Sequence, residues 1–178
     1  MNIFYLHNNP KQNARWHIDK HIVKMPTEYC QLLSSAHRVL DGTIFYEKNK
    51  NKRNVKRWKL LDERENFLMK VTHVNHPSNK WVRYSRSNYL KLWKLYISCL
   101  EEYSYRYNKL HGAGRLSSIL MSPPNNLKDF GHTEIPQAMP DYCKVDGNTI
   151  AAYRKFYQNE KKSFATWKNR QKPKWFET

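Results

Sequence analysis

The chain has 178 residues, a length that suits one domain with a single buried core. Lys and Arg number 32 against 15 Asp and Glu, a net charge of +17, and an excess of that size repels itself in a compact state unless an acidic partner offsets it. A hydrophobic content of 39% with 14% aromatics excludes a disordered chain, and no apolar run is long enough to span a bilayer.

Residues 2–6 (Asn-Ile-Phe-Tyr-Leu) form a short apolar segment, a strand or an extended arm. Asn8 or Asn9 then offers an N-cap, and Pro10 suits a first helical turn. From Ala14 onward Ile18, Ile22, Met25, Tyr29, Leu32, Ala36 and Val39 recur at steps of four and three, which predicts a long helix ending at Gly42. Pro26 lies inside it and predicts a kink or a junction of two helices. Residues 47–59 carry seven basic side chains and one acid and read as a flexible basic loop. A shorter helix is expected around Trp58 to Val71, then a turn or helix start at Asn75-His76-Pro77.

Tyr89, Leu92, Trp93, Tyr96, Ile97, Leu100, Tyr103 and Tyr107 give the clearest helical stripe, with Ser85 or Ser87 as its cap and Gly112 and Gly114 beyond its end. Residues 112–148 hold four of the eight prolines and read as a long irregular connection. Asn148 or Thr149 caps a last helix, and the tail from Trp167 is basic and aromatic. The expected fold is therefore all-α, a compact bundle of three long helices with an N-terminal arm and a long Pro-containing loop, in one domain over 1–178.

The cysteines Cys30, Cys99 and Cys143 are odd in number and without a CxxC. They point away from a disulfide framework and toward a reducing, cytoplasmic setting. The start of the chain lacks the pattern of a signal peptide.

His17, His21, Lys24, Glu28 and Gln31 follow steps of four, three, four and three, each one residue before a core position. On one continuous helix they share a face tangent to the core, where two imidazoles, an amine and a carboxylate supply acids and bases. The alternative is a solvated edge with Lys24 and Glu28 as an ordinary i,i+4 pair. A His-dependent metal nuclease using His17 and His21 is a rival, although no HExxH occurs, so no metal ligand is assigned. Phosphate contacts are expected from Lys20, Lys52, Arg53, Lys56, Arg57, His76, Arg83, Arg86, Lys168 and Arg170, with Trp81 and Tyr84 as stacking rings. Nucleic acid, chiefly duplex DNA, is the expected partner of a monomer, with no cofactor and no membrane.

The arm Asn2-Ile3-Phe4-Tyr5-Leu6, the segment Asp19-Lys20-His21-Ile22-Val23-Lys24-Met25-Pro26 and the stretch from Asn75-His76-Pro77 through Tyr103 together resemble the small phage pyrimidine-dimer DNA glycosylase/AP lyases. The chain is also similar to phage proteins that share its WHxDKHxxKM and NHP segments, which imply no mechanism. The first resemblance implies an N-terminal amine that attacks the sugar C1′, assisted by a Glu of the first helix, followed by β-elimination. Met1 carries that amine here, because bulky Asn2 favours its retention, and Lys24 is the other nucleophile candidate. Lys24 falls where the family places its Glu, and Glu28 lies one turn on. The expected function is excision of a base from DNA, with a non-catalytic nucleic-acid binder, the metal nuclease and an enzyme of free nucleotides as alternatives.

Overall fold

The structure is a computed structural model and describes residues 1–176. Helix α1 spans Pro10–Trp16 and α2 spans Asp19–Asp41. Strands β1 (Thr43–Lys48) and β2 (Asn54–Lys59) form an antiparallel pair, followed by α3 (Arg64–Phe67), α4 (Pro77–Val82), α5 (Arg86–Tyr107) and α6 (Thr149–Glu160). Short 3-10 turns occupy Gly112–Leu116, Ile119–Met121, Asp141–Cys143, Lys162–Phe164 and Lys174–Phe176.

The architecture is mixed α/β, which corrects the expected all-α three-helix bundle. The expected basic loop at 47–59 is most of a β-hairpin. Thr43-Ile44-Phe45-Tyr46 are residues that favour extended backbone, and Asn49 closes the turn by accepting the N–H groups of Asn51 and Arg53 at 2.9 and 3.0 Å. Lys52 sits in the left-handed region at φ 57°. The helix expected from Trp58 shrinks to the four residues of α3, because Trp58 pairs with Ile44 in the ladder.

The first long helix is interrupted at His17-Ile18, upstream of Pro26. Arg106 explains the break. Its buried guanidinium donates to the carbonyls of Arg15 and His17 at the end of α1 and to Asp19 at the start of α2, each at 2.9 Å. One cation thus satisfies carbonyls that a continuous helix would have bonded itself. Helix α2 runs through Pro26 without stopping. Pro26 cannot donate to the Ile22 carbonyl, and the neighbouring Val23 carbonyl accepts His111 Nε2–H at 2.9 Å.

Other boundaries follow local chemistry. Asn9 Oδ1 caps α1 through Gln12 N–H, His76 Nδ1 caps α4 through Ser78 N–H, and Asn148 Oδ1 caps α6 through Ala151 N–H. At Gly42 a Cβ would lie 2.4 Å from the Arg38 carbonyl oxygen and 3.1 Å from that of Lys59, so only glycine lets the hairpin leave α2 here. Helix α5 ends earlier than its glycines imply, at Asn108 in the left-handed conformation.

The core lies between α2, α5 and α1, closed by the N-terminal arm. Ile3, Phe4, Tyr5 and Leu6 are buried, and side chains serve their backbone: Tyr29 Oη accepts Phe4 N–H, Asn13 Oδ1 accepts Leu6 N–H, and Arg154 Nε donates to the Leu6 carbonyl. Helix α6 joins this core through Tyr153, Phe156 and Tyr157 around Phe4, and packs otherwise on the 3-10 turns beside it. The three cysteines are buried free thiols. Among the described residues no helix is long and apolar enough to cross a membrane.

Candidate functional site

His17 and His21 do not share a helix with the spacing their sequence positions suggest, and both are buried. The Asn13 carbonyl accepts His17 Nδ1–H at 2.8 Å, so Nε2 carries the lone pair and accepts the Tyr29 hydroxyl at 3.1 Å. Burial lowers the His17 pKa to about 4 and raises that of Tyr29. His21 stacks on Phe4 with ring centroids 4.1 Å apart and bonds the Tyr157 hydroxyl through Nδ1 at 2.6 Å. Burial first, then the adjacent His17 ring and the cations of Lys161 and Lys24, lower its pKa to about 2. These imidazoles are neutral core groups that tie the arm to α2 and α6. His17 has both ring nitrogens engaged. Among the described residues no group of three or more His, Cys, Asp or Glu is placed to hold a metal ion.

Lys24 and Glu28 behave differently. They form an i,i+4 pair at 3.0 Å, with the Lys24 side chain 68% exposed and that of Glu28 16% exposed. Glu28 and groups from two further segments act on one ring, His76. The Met1 amine, His73 and Glu28 all act electrostatically on His76, whose pKa is lowered first by burial and next by the charge of that amine, with Glu28 opposing. Met1 Sδ lies 3.7 Å from Thr72 Oγ1, and Asn79 Nδ2 donates to the Thr72 carbonyl at 2.9 Å, which fixes the 72–76 turn beside the chain start. His76 Nδ1 accepts Ser78 N–H, so the neutral ring carries its proton on Nε2. Sequence spacing brought Lys24 and Glu28 together. The influence of Glu28 and of the Met1 amine on His76 depends on the path of the arm, which no spacing encodes.

The expected phosphate and stacking residues divide into two groups. Lys20, Lys52, Arg53, Lys56, Arg86 and Lys168 are exposed. Lys20 lies over Phe164, Lys56 over Trp58 and Lys168 over Tyr107, at 4.4, 5.2 and 5.2 Å from the ring centroids. Tyr84 is exposed and leans on Phe130 at 5.4 Å. Arg57 pairs with Glu47 at 2.7 Å. Arg83 donates to the Val74 carbonyl and to Asn79, and Arg170 makes two bonds of 2.9 Å to Glu102. Trp81 is buried with its Nε1–H on the Thr133 carbonyl.

The hairpin gathers much of the exposed surface chemistry. Its register puts Ile44, Tyr46 and Lys48 on one face with Trp58, Lys56 and Asn54. Ile44 and Tyr46 are exposed there, at 48% and 67%, so rings and cations alternate on an open ribbon.

Sequence reasoning missed a second polar centre. Arg64 donates to His37 Nδ1 at 2.9 Å, and His37 Nε2–H then bonds the Tyr89 hydroxyl, which donates to the Leu120 carbonyl. Asp41 accepts Arg64 and the backbone N–H groups of Asn125 and Asn126. Burial and Arg64 lower the His37 pKa to about 4. This network holds the proline-containing connection against α2. Its only sequence signal was a His and an Asp near the end of a helix.

Comparison of the chain with protein-family models, with curated proteins and with solved structures gives no match, so its chemistry is read from the site alone.

Proposed function

We propose that the chain processes DNA as a base-excising glycosylase with abasic-site lyase activity, using the Met1 amine as nucleophile. The observation that carries this reading is that the Met1 amine and Glu28, from two separate segments, both act electrostatically on His76, while Glu28 pairs with Lys24 at 3.0 Å. The amine lone pair attacks the sugar C1′ as the bond to the base breaks, and the base leaves with that electron pair and takes up a proton. Opening of the C1′–O4′ bond gives the iminium and a 4′-hydroxyl. Loss of a C2′ proton then expels the 3′-phosphate. Glu28 supplies a fixed negative charge for the sugar cation, an effect exerted chiefly in the transition state. His76 offers Nε2–H to the sugar–phosphate. The exposed lysines and the hairpin supply counter-charge for the phosphates.

Borohydride trapping on duplexes with an abasic site tests the reading. The adduct should form with wild type, persist in Lys24→Met and vanish when the amino terminus is blocked. Glu28→Gln should lose about 10²-fold or more in rate while retaining duplex affinity and melting temperature. An untrappable enzyme with full rate would sink the imine route. The pairing of Lys24 with Glu28 favours a second reading, a binder whose polar edge is solvated. Tight duplex binding without turnover would select it.

A further inference from the structure

A cavity of about 320 Å³ opens between the arm, α1, α4 and α5, on residues that the amine chemistry does not use. That volume is at the small end of the range for ligand pockets. Its body is apolar and aromatic, with Ile3, Tyr5, Trp81, Leu95 and Ile135 among its walls. The polar atoms of both rings are already committed. Tyr5 Oη donates to Asn8 Oδ1 at 2.8 Å, and Trp81 Nε1–H is taken by the Thr133 carbonyl. Both residues therefore offer the cavity ring surface.

Three further wall residues carry polarity of one kind. Lys91 and Lys94 are three residues apart on α5, and His132 faces them from the proline-containing connection. No carboxylate lines the cavity. Neither lysine has an acid partner among the described residues, and the Lys91 ammonium lies 4.6 Å from the Tyr5 ring centroid. Glu134, in the adjoining depression, is held by the N–H and hydroxyl of Thr149.

Asn13 supplies the most specific mark. It is 1% exposed and forms part of the wall. Its Oδ1 is fixed by Leu6 N–H at 3.0 Å, which orients the amide, and its Nδ2 is shielded from solvent without a partner. A buried donor left unpaired is unfavourable, and a ligand acceptor removes that cost.

We propose that this cavity binds a nucleotide unit, an aromatic base on a phosphorylated sugar. The base enters between Tyr5, Trp81 and Leu95 and accepts a hydrogen bond from Asn13 Nδ2. The phosphate rests at Lys91 and Lys94. Base and phosphate suit the two ends because rings stack on a π-face while ammonium groups pair with phosphate oxygens. The assignment does not depend on an imine and stands whether or not the chain is a lyase. The nucleotide comes either free or as one unit of a strand.

Calorimetric titration with deoxynucleoside monophosphates, the matching nucleosides, inorganic phosphate and a short single strand tests it. Monophosphates should bind about tenfold or more tighter than nucleosides or phosphate alone. Lys91→Met with Lys94→Met should weaken them by about tenfold, with unchanged circular dichroism. Lys109→Met with Lys162→Met, an equal loss of charge at exposed lysines outside the cavity wall, should leave them within about twofold. Asn13→Asp keeps the acceptor for Leu6 and removes the donor, so it should weaken binding in the same arm. Competition by the single strand identifies a strand as the source. Monophosphate binding without such competition identifies the free nucleotide. Equal affinity for nucleosides, equal losses in the two lysine pairs, or no binding at all overturns the proposal.

Discussion

At the scale of single residues, the fold depends on polar side chains buried with their partners. Tyr29 is the clearest case. Its hydroxyl accepts the Phe4 N–H at 3.3 Å and donates to His17 Nε2 at 3.1 Å, in a position without solvent exposure. Tyr29→Phe would leave a backbone donor and an imidazole lone pair buried and unpaired. Each such group costs about 1–3 kcal/mol, so the variant should lose about 2–6 kcal/mol in chemical denaturation. A loss under about 0.5 kcal/mol, the level of an unremarkable surface change, would show that water replaces the hydroxyl. His17 and His21 were legible in the sequence as clustered imidazoles beside an apolar stripe, and read as lining a cleft. Periodicity locates a face but does not say whether a polar group on it has a buried partner. The partners, Asn13, Tyr29 and Tyr157, lie 4, 12 and 136 residues away.

At the scale of elements, the helices with strong apolar stripes were readable, and so were caps at Asn9 and Asn148. The break at His17-Ile18 was not, because its cause is Arg106, 89 residues from the His17 carbonyl that it holds. The hairpin was hidden by its charge. Seven basic residues obscured a period-two pattern, and the strand residues face solvent so widely that no core-facing alternation marks them. A two-stranded ribbon alone is marginally stable. Here its base is anchored, since Arg38 donates to the Trp58 carbonyl and to the Leu68 and Met69 carbonyls beyond α3. The strands therefore stand largely exposed on an anchored base. If Lys48 and Lys56 touch phosphates, replacing both with Met should lower the slope of log affinity against log salt on a duplex by about two, at about 0.9 per phosphate contact. Helicity should not change. An unaltered slope would place the phosphate contacts elsewhere on the surface.

At the scale of the whole molecule, the ion pairs are held mostly by arginines. Arg38, Arg64, Arg106 and Arg170 bind Glu65, Asp41, Asp62, Asp19 and Glu102, while most lysines stand outside. Those five acids are thus spent on the fold, while Glu63, Glu101, Asp141, Asp146 and Glu160 are exposed on a surface that carries the +17 excess. The same arrangement sets how stability depends on pH. His17, His21 and His37 have pKa values lowered from 6.5 to about 4, about 2 and about 4, all chiefly by burial. Above pH 6.5 both folded and unfolded chains hold these rings neutral, and the shifts do not alter stability. Below 6.5 the unfolded chain takes up protons that the folded chain refuses, so stability falls with pH. The fall continues until pH approaches about 4 for His17 and His37, and about 2 for His21. Each ring costs about 1.4 kcal/mol per pH unit in that window, so the three together cost on the order of 4 kcal/mol per unit. The ion-paired carboxylates Asp19, Asp41 and Glu102, with pKa values lowered, add their own loss at more acid pH. Net stabilities of domains are about 5–15 kcal/mol, so the melting temperature should drop steeply between pH 6.5 and 5, before the carboxylates titrate. His37→Gln should start less stable, because Arg64 and Tyr89 lose a shared partner, yet fall by about two-thirds of the wild-type slope. A melting temperature that stays level from pH 7 to pH 5 would mean that the buried rings reach water and protonate within the folded chain.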